Sequence, residues 1–211
     1  MKADRPMIDR LIADRTPGPR QIHSHVTRPI VEQLVKAGSH SVLELGCGDG
    51  WFTAALDRCG FATTGLDRDE MQLQVARHHY PHLPFHAGDA MHALDPALVG
   101  RFDAVIAIDL VDHVPHSRRL VSVALSALKP GGLLVLTSNF HGYSKNLALA
   151  FAGRFDARWD PLTDEGRLKF FSRSTLTSLL KEFGLVELHF ETVGRIPMFA
   201  RAMLMSGRAA P

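Results

Sequence analysis

Short apolar runs alternate along this chain with segments whose apolar residues recur at helical spacing. Residues 41–45 read SVLEL, a brief buried strand, and 49–59 carry Phe52, Leu56 and Cys59 on one helical face before Gly60 stops it. FATTGLD (61–67) predicts a second strand, followed by a helix from Asp69 to about His79. LPFHAGDA (83–90) predicts a short strand and loop, and RFDAVIAIDL (101–110) a strongly apolar strand. A helix over Ser117–Leu128 ends at Lys129-Pro130-Gly131-Gly132, and LLVLTSN (133–139) is the next strand. Upstream, residues 26–38 form a helix with Pro29 in its first turn and Gly38 closing it. Continuously apolar strands alternating with helices predict an α/β fold with a mostly parallel sheet and helices on both faces. In such sheets ligands bind beyond the carboxyl ends of the strands. The candidate residues are therefore those just after each strand: Glu44–Gly50, Asp67, Asp89, Ile108–His113 and Asn139–Tyr143.

The pattern changes after the fifth strand. Residues 139–172 are aromatic, basic and irregular, an insertion placed to cover the crevice as a lid. A helix over Ser174–Glu182, stopped at Gly184, and a last strand LVELHFETV (185–193) follow. Two stretches, NLALAFAGRF (146–155) and IPMFARAMLMSGR (196–208), are apolar enough either to pack inside or to touch a membrane surface; packing is the favoured reading. Residues 1–20 are basic and turn-rich, ending in TPGPR, and read as a flexible arm. The whole, 1–211, reads as a single domain.

Composition narrows the classes. An apolar fraction of 45% and a charged fraction of 22% are those of a globular chain. A net charge of +2 gives no footprint for nucleic acid. The 12 histidines are scattered and form no metal tract, and the two cysteines, Cys47 and Cys59, imply no disulfide framework. A reducing, cytoplasmic setting is expected, since the opening residues lack a signal-peptide core and no run reaches the length of a spanning helix.

The chemistry concentrates in Glu44-Leu45-Gly46-Cys47-Gly48-Asp49-Gly50. Glycines at a strand-to-helix turn let backbone approach a ligand closely. A dinucleotide loop is G-x-G-x-x-G with the helix N-terminus free for a pyrophosphate. Here the third glycine comes one residue early and Asp49 stands at the helix start, where a carboxylate competes with phosphate for the same N–H groups. A cationic, phosphate-free ligand such as S-adenosylmethionine suits this loop better. Glu44 would hold the loop through backbone N–H groups or favour the cationic end of the ligand. Asp67, 21 residues after Gly46, is placed to accept ribose hydroxyls. Asp89-Ala90 is placed for the adenine amino group, or Asp89 simply forms a turn beside Gly88.

VLELGCGDG, GLD, GDA, FDAVIAIDLVDHV and LKPGGLLVLT stand in the order of the motifs of class I S-adenosylmethionine-dependent methyltransferases. Over residues 22–195 the chain resembles that family, and within it is most similar to the ubiquinone-biosynthesis O-methyltransferase-like branch. The resemblance implies a Rossmann-like sheet of seven strands, the last antiparallel. It implies cofactor contacts at Gly46, Asp67 and Ile108, with Glu44, Gly48, Gly50, Asp89 and Ala90 around them. It also implies an arginine for the cofactor's carboxylate, for which Arg28, 18 residues before Gly46, is the candidate. In IDLVDHVP, Asp109, Asp112 and His113 stand where that branch has a cation-binding acidic-x-x-acidic-His set, which would hold a divalent ion such as Mg2+. The alternative gives His113 the part of pocket residue or base and leaves Asp112 to orient it or to cap the turn.

A methyl acceptor needs its proton removed, and histidine is the usual base near neutral pH. His113 is the first candidate and His141 the second. Tyr143, Trp159 and Phe171 of the lid would line a pocket for a flat, apolar small-molecule substrate. The expected function is O-methylation of an aromatic or quinol-like hydroxyl. N-methylation, sugar O-methylation, a nicotinamide-dependent oxidoreductase and a non-catalytic cofactor-binding module remain as alternatives. Oligomeric state is not encoded legibly.

Overall fold

The computed structural model describes residues 24–154, 166–194, 196 and 200–210. The arm at 1–20, and Trp159 with most of the centre of the insertion, lie outside the described residues.

The elements run in chain order as α1 (Ser24–Ala37), β1 (Ser41–Leu45), α2 (Trp51–Arg58), β2 (Ala62–Asp67), α3 (Glu70–His79) and β3 (Phe85–Ala87). They continue with β4 (Phe102–Ala107), α4 (Leu110–His113), α5 (Ser117–Ala127), β5 (Leu128–Asn139) and α6 (Tyr143–Phe151). The chain closes with α7 (Arg173–Glu182), β6 (Val186–Val193) and β7 (Ala202–Arg208). One seven-stranded sheet has the order β3-β2-β1-β4-β5-β7-β6. The pairs from β3 to β5 are parallel, and β7 is antiparallel to both β5 and β6.

Alternation along the central strands explains why they read as unbroken apolar runs. Leu43, Val105, Leu134 and Met203 face a layer built with Leu120 and Val121 of α5 and Leu176 and Leu180 of α7. Their neighbours Val42, Ala104, Ile106, Val135 and Leu204 face the opposite layer, with Ile30 and Leu34 of α1 and Phe52 and Leu56 of α2. Both faces are buried, so neither set of positions can be polar. The strand order reverses between β1 and β4, which opens a crevice at their carboxyl ends.

Three expectations change. The last strand in sequence is not 185–193. Residues 202–208 form β7, inserted between β5 and β6 and buried over nearly its whole length. This stretch is therefore core and not a membrane-contacting tail. Its sequence, AMLMSGR, hides the role because Ser206 and Gly207 break the apolar run. A Cβ on Gly207 would fall 2.5 Å from Leu188 Cδ2, so glycine leaves room for that side chain against the strand. Second, Pro29 lies inside α1 and not in its first turn, because the helix already includes Ser24. Third, β5 starts at Leu128 and takes the Lys129–Gly132 turn signal into the strand as an irregularity, marked by a register shift opposite Phe102 and Ala104.

Candidate active site

The loop between β1 and α2 is fixed from both sides. Gly46 and Cys47 donate their N–H groups to Leu66 O at 2.8 and 3.1 Å. Gly48 N–H donates to Asp67 Oδ2 at 2.7 Å, and Asp69 N–H to Asp67 Oδ1 at 2.8 Å. Gly46, Gly48 and Gly50 all have positive φ, at 75°, 52° and 75°. At Gly50 a Cβ would also meet the Phe85 ring at 2.6 Å, so glycine is required twice over.

The part expected of Glu44 at the loop's backbone falls to Asp67, which was expected at a ribose. Glu44, expected on loop N–H groups or at the cationic end of the ligand, accepts the Thr53 hydroxyl of α2 at 2.5 Å and borders the first cavity. Glu44 is 4% exposed, and burial, opposed by the Thr53 hydrogen bond and reinforced by Asp49 and Asp67, pushes its pKa up to about 8. Burial also pushes the Cys47 thiol up, so that side chain is a packing group and not a nucleophile.

Asp49 accepts Trp51 N–H at 3.1 Å, at the start of α2. A helix start offers few free N–H groups, and one is already taken by a carboxylate. This arrangement disfavours a phosphate at that end.

Two cavities flank the loop and share Gly46. The first, about 280 Å³, is lined by Glu44, Gly48, Asp49, Trp51, Gln72 and Ile108, among others. The second, about 90 Å³, brings together Asp67, Asp89, Ala90, Leu110 and His113. Eight of the sequence-selected positions thus border one pair of cavities: Glu44, Gly46, Gly48, Asp67, Asp89, Ala90, Ile108 and His113. Gly50 shapes the loop from beneath, against Phe85. Asp89 is also a turn former, since Oδ1 accepts Met91 N–H at 2.8 Å and Oδ2 lies 3.3 Å from His92 Nδ1. Arg28 sits on α1 and lines neither cavity among the described residues. Trp51, Asp69 and Gln72 were not singled out by sequence, and Leu110 only as part of the stretch after β4. Helical positions facing back toward the loop were the available signal.

The segment after β4 corrects the metal reading. Asp109 has φ 52°, a left-handed backbone unusual for a residue with a side chain. It is held there by Thr137, whose hydroxyl accepts Asp109 N–H and donates to Asp109 Oδ1, each at 2.9 Å. Asp112 is 1% exposed and points the other way, accepting the Ser138 hydroxyl at 2.7 Å and Asn139 N–H at 3.2 Å. His113 is exposed. Asp109 is thus tied to Thr137 and Asp112 to Ser138 and Asn139, so the helical turn does not gather the three. Among the described residues no group of three or more His, Cys, Asp or Glu side chains is arranged to hold an ion, and a divalent cation finds no support. The Asp112 carbonyl also accepts Leu168 and Lys169 N–H at 2.8 and 3.0 Å, fastening the end of the 139–172 segment to α4. Burial raises the Asp112 pKa.

The described residues expected at a substrate wall lie apart from the loop cavities. Tyr143 is 82% exposed on α6 and lines neither loop cavity. Phe171 is buried and borders a different cavity, between α5 and α7. Trp159 lies outside the described residues. His141 is half-buried and stacks on Phe170, ring centroids 3.6 Å apart.

This fold, with its glycine loop at the switch point and acidic residues after β1 and β2, defines a nucleotide-cofactor α/β protein whose loop is not built for phosphate. Comparison with known proteins narrows the class: residues 11–189 match the methyltransferase domain family, and the chain belongs to it. Among curated relatives, the ubiquinone biosynthesis O-methyltransferase of Dinoroseobacter shibae is 32% identical over 148 residues, covering 68% of this chain and 59% of that protein. The mitochondrial protein of the same name from Mus musculus is 32% identical over 152 residues, covering 68% of this chain and 40% of its own length. The matched region therefore spans about half the length of these relatives. Among solved structures, a SAM dependent methyltransferase from Archaeoglobus fulgidus shares the fold at a TM-score of 0.61 and 16% identity, covering 86% of this chain and 94% of that one. Among the described residues no helix is long and apolar enough to cross a membrane.

Proposed function

We propose that this protein moves a methyl group from S-adenosylmethionine to a hydroxyl of a small aromatic or quinol-like molecule. The observation that carries the reading is the acidic, phosphate-averse loop: Asp49 occupies an N–H at the start of α2, while Glu44 and Asp67 present carboxyl groups to the flanking cavities. These acceptors fit a ligand with a sulfonium, an ammonium and ribose hydroxyls. They fit a pyrophosphate poorly, which argues against a nicotinamide cofactor.

Glu44, Gly48 and Ile108 would surround the amino-acid end, and Asp67, Asp89 and Ala90 the adenosine end, with Gly46 between them. Arg28 on α1 is the candidate for the carboxylate. When bound, the cofactor supplies an electrophilic methyl on a sulfur that leaves as a neutral thioether. The protein's work is then alignment and proton removal. His113, at the mouth of the adenosine-side cavity, takes the acceptor's proton as the new C–O bond forms, and His141, held flat by Phe170, is the second candidate. The name of the curated relatives supports the choice of an aromatic hydroxyl acceptor.

Calorimetry with S-adenosylmethionine and its demethylated product tests the reading. Saturable binding, weakened about tenfold or more in Asp67→Ala, is expected for loss of a charge-assisted contact. Absence of binding to either compound sinks it.

A further inference from the structure

Asp109 stands where the chain crosses between the two loop cavities. Ile108, one residue before it, lines the first cavity, and Leu110, one residue after it, lines the second. Leu110 also lies against Gly46, the residue common to both cavities: a Cβ on Gly46 would fall 3.1 Å from Leu110 Cδ2. The backbone at Asp109 thus sets where both walls stand.

That backbone is one that residues with a Cβ rarely adopt, with φ 52° and ψ 2°. Among the described residues Glu187 is the one other non-glycine residue with positive φ, and it borders neither loop cavity. Glycine is the usual residue for such a turn. This chain keeps an aspartate and holds it with a buried threonine. Thr137 of β5, with no exposed surface, accepts Asp109 N–H and donates to Asp109 Oδ1, both at 2.9 Å. One hydroxyl therefore acts as acceptor and donor toward a single residue. The next two residues of β5, Ser138 and Asn139, hold Asp112 at the other end of the same turn. Thr137 itself lines neither cavity. Backbone kept in a sparsely populated conformation between two ligand cavities, by a side chain that borders neither, has the character of a positioning device.

We propose that Thr137 is a positioning residue for the cofactor site: by locking the left-handed turn at Asp109, it fixes Ile108 and Leu110 on either side of Gly46 and so fixes the space into which the methyl donor fits. The inference rests on the proposed methyl-transfer reading. Without the hydroxyl, Asp109 relaxes toward the negative φ that its Cβ prefers, and Ile108 and Leu110 shift against the glycine loop. The apparent affinity then falls with the fraction of molecules that still hold the turn.

Calorimetry on the full chain with S-adenosylmethionine and with its demethylated product tests this. Thr137→Val keeps the side-chain volume and removes the hydroxyl, and should bind both compounds about tenfold more weakly. Thr137→Ser keeps the hydroxyl and should bind within about threefold of wild type. At Asp109 the order should follow backbone tolerance: Asp109→Gly, which takes positive φ freely, should bind about fivefold more tightly than Asp109→Ala. In the Asp109→Gly background, Thr137→Val should weaken binding by less than about threefold, because the strained residue is gone. A merely structural threonine would lower the melting temperature and leave these affinities alike. The Asp109 pair decides the matter if Thr137→Val folds poorly in thermal melting. Wild-type protein that binds neither compound sinks the methyl-transfer reading and this inference with it. Wild-type binding with Thr137→Val equally tight, with Thr137→Ser as weak as Thr137→Val, or with Asp109→Ala binding as tightly as Asp109→Gly overturns this inference alone.

Discussion

Glu44 is a buried acid in the crevice that carries a large electrostatic cost. It is buried beside Asp49 and Asp67 with one hydroxyl donor, and its pKa stands near 8 against an ordinary 4.5. The folded protein therefore holds a proton there that the unfolded chain releases. Its contribution to stability is fully present below about pH 4.5 and is lost as pH rises through about 8. Thermal melts of the ligand-free protein should show this decline, on the order of a few kcal/mol, and Glu44→Gln should flatten it. A slope unchanged in Glu44→Gln would assign the effect elsewhere. A cationic ligand reverses the balance by favouring the carboxylate, so cofactor binding near neutral pH should release a proton, measurable as buffer-dependent heat.

His113 offers a second prediction at this scale. His113 is exposed and borders the adenosine-side cavity, so His113→Ala should leave the protein folded and change cofactor affinity far less than turnover. Turnover should fall by about 10²–10⁴-fold, the usual worth of a positioned general base. Methyl transfer assayed on a catechol or hydroquinone panel checks this. An unaltered rate would shift the assignment to His141. Asp109 and Asp112 carry the complementary lesson: identical in type and close in sequence, they bind different residues of the one strand β5, Thr137 for Asp109 and Ser138 with Asn139 for Asp112, one from left-handed and the other from helical backbone.

Elements are punctuated here by local chemistry. Helix α7 begins with a capping box in which Ser172 Oγ accepts Thr175 N–H at 3.2 Å and Thr175 Oγ1 accepts Ser172 N–H at 2.9 Å. Ser172→Ala should cost about 1 kcal/mol in chemical denaturation, as at other serine caps. Its effect on cofactor binding should be nil, because α7 lies on the layer away from the first loop cavity. The strand-to-helix turns behave differently. Gly50→Ala forces a methyl into the Phe85 ring at left-handed φ, and should destabilise the protein by about 1–3 kcal/mol while distorting the loop. Helix α6 shows the opposite economy: Tyr143 and Phe151 remain exposed, while its lysine, Lys145, is buried and donates to the carbonyls of Phe140 and Ala200 at 3.0 and 2.6 Å. A helical pattern alone would have assigned those positions the other way round.

For the whole molecule, the sheet depends on its last strand in sequence. Among the described residues β6 pairs only with β7, and β7 covers the edge of β5. Removal of residues 200–211 should therefore leave β6 without a partner and open a long apolar edge, giving aggregation and loss of the cooperative thermal transition. Retention of a sharp transition would mean that five strands suffice.

Much of this architecture is legible in the residues themselves. The apolar runs of β1, β4 and β5 declare strands buried on both faces, and the glycines with Asp49 and Asp67 declare the loop and its taste in ligands. These signals are local: they arise from backbone freedom, side-chain volume and charge within a few neighbouring positions, and so survive in one dimension. What the sequence could not decide was long-range. The place of 202–208 between β5 and β6 depends on partners in β5 that run from Asn139, opposite Ala202, to Leu133, opposite Arg208. The direction of Asp112 depends on Ser138 and Asn139, and the left-handed backbone of Asp109 depends on Thr137. Such facts follow from packing, where the same residue type is satisfied or left wanting by neighbours that only the folded chain brings near.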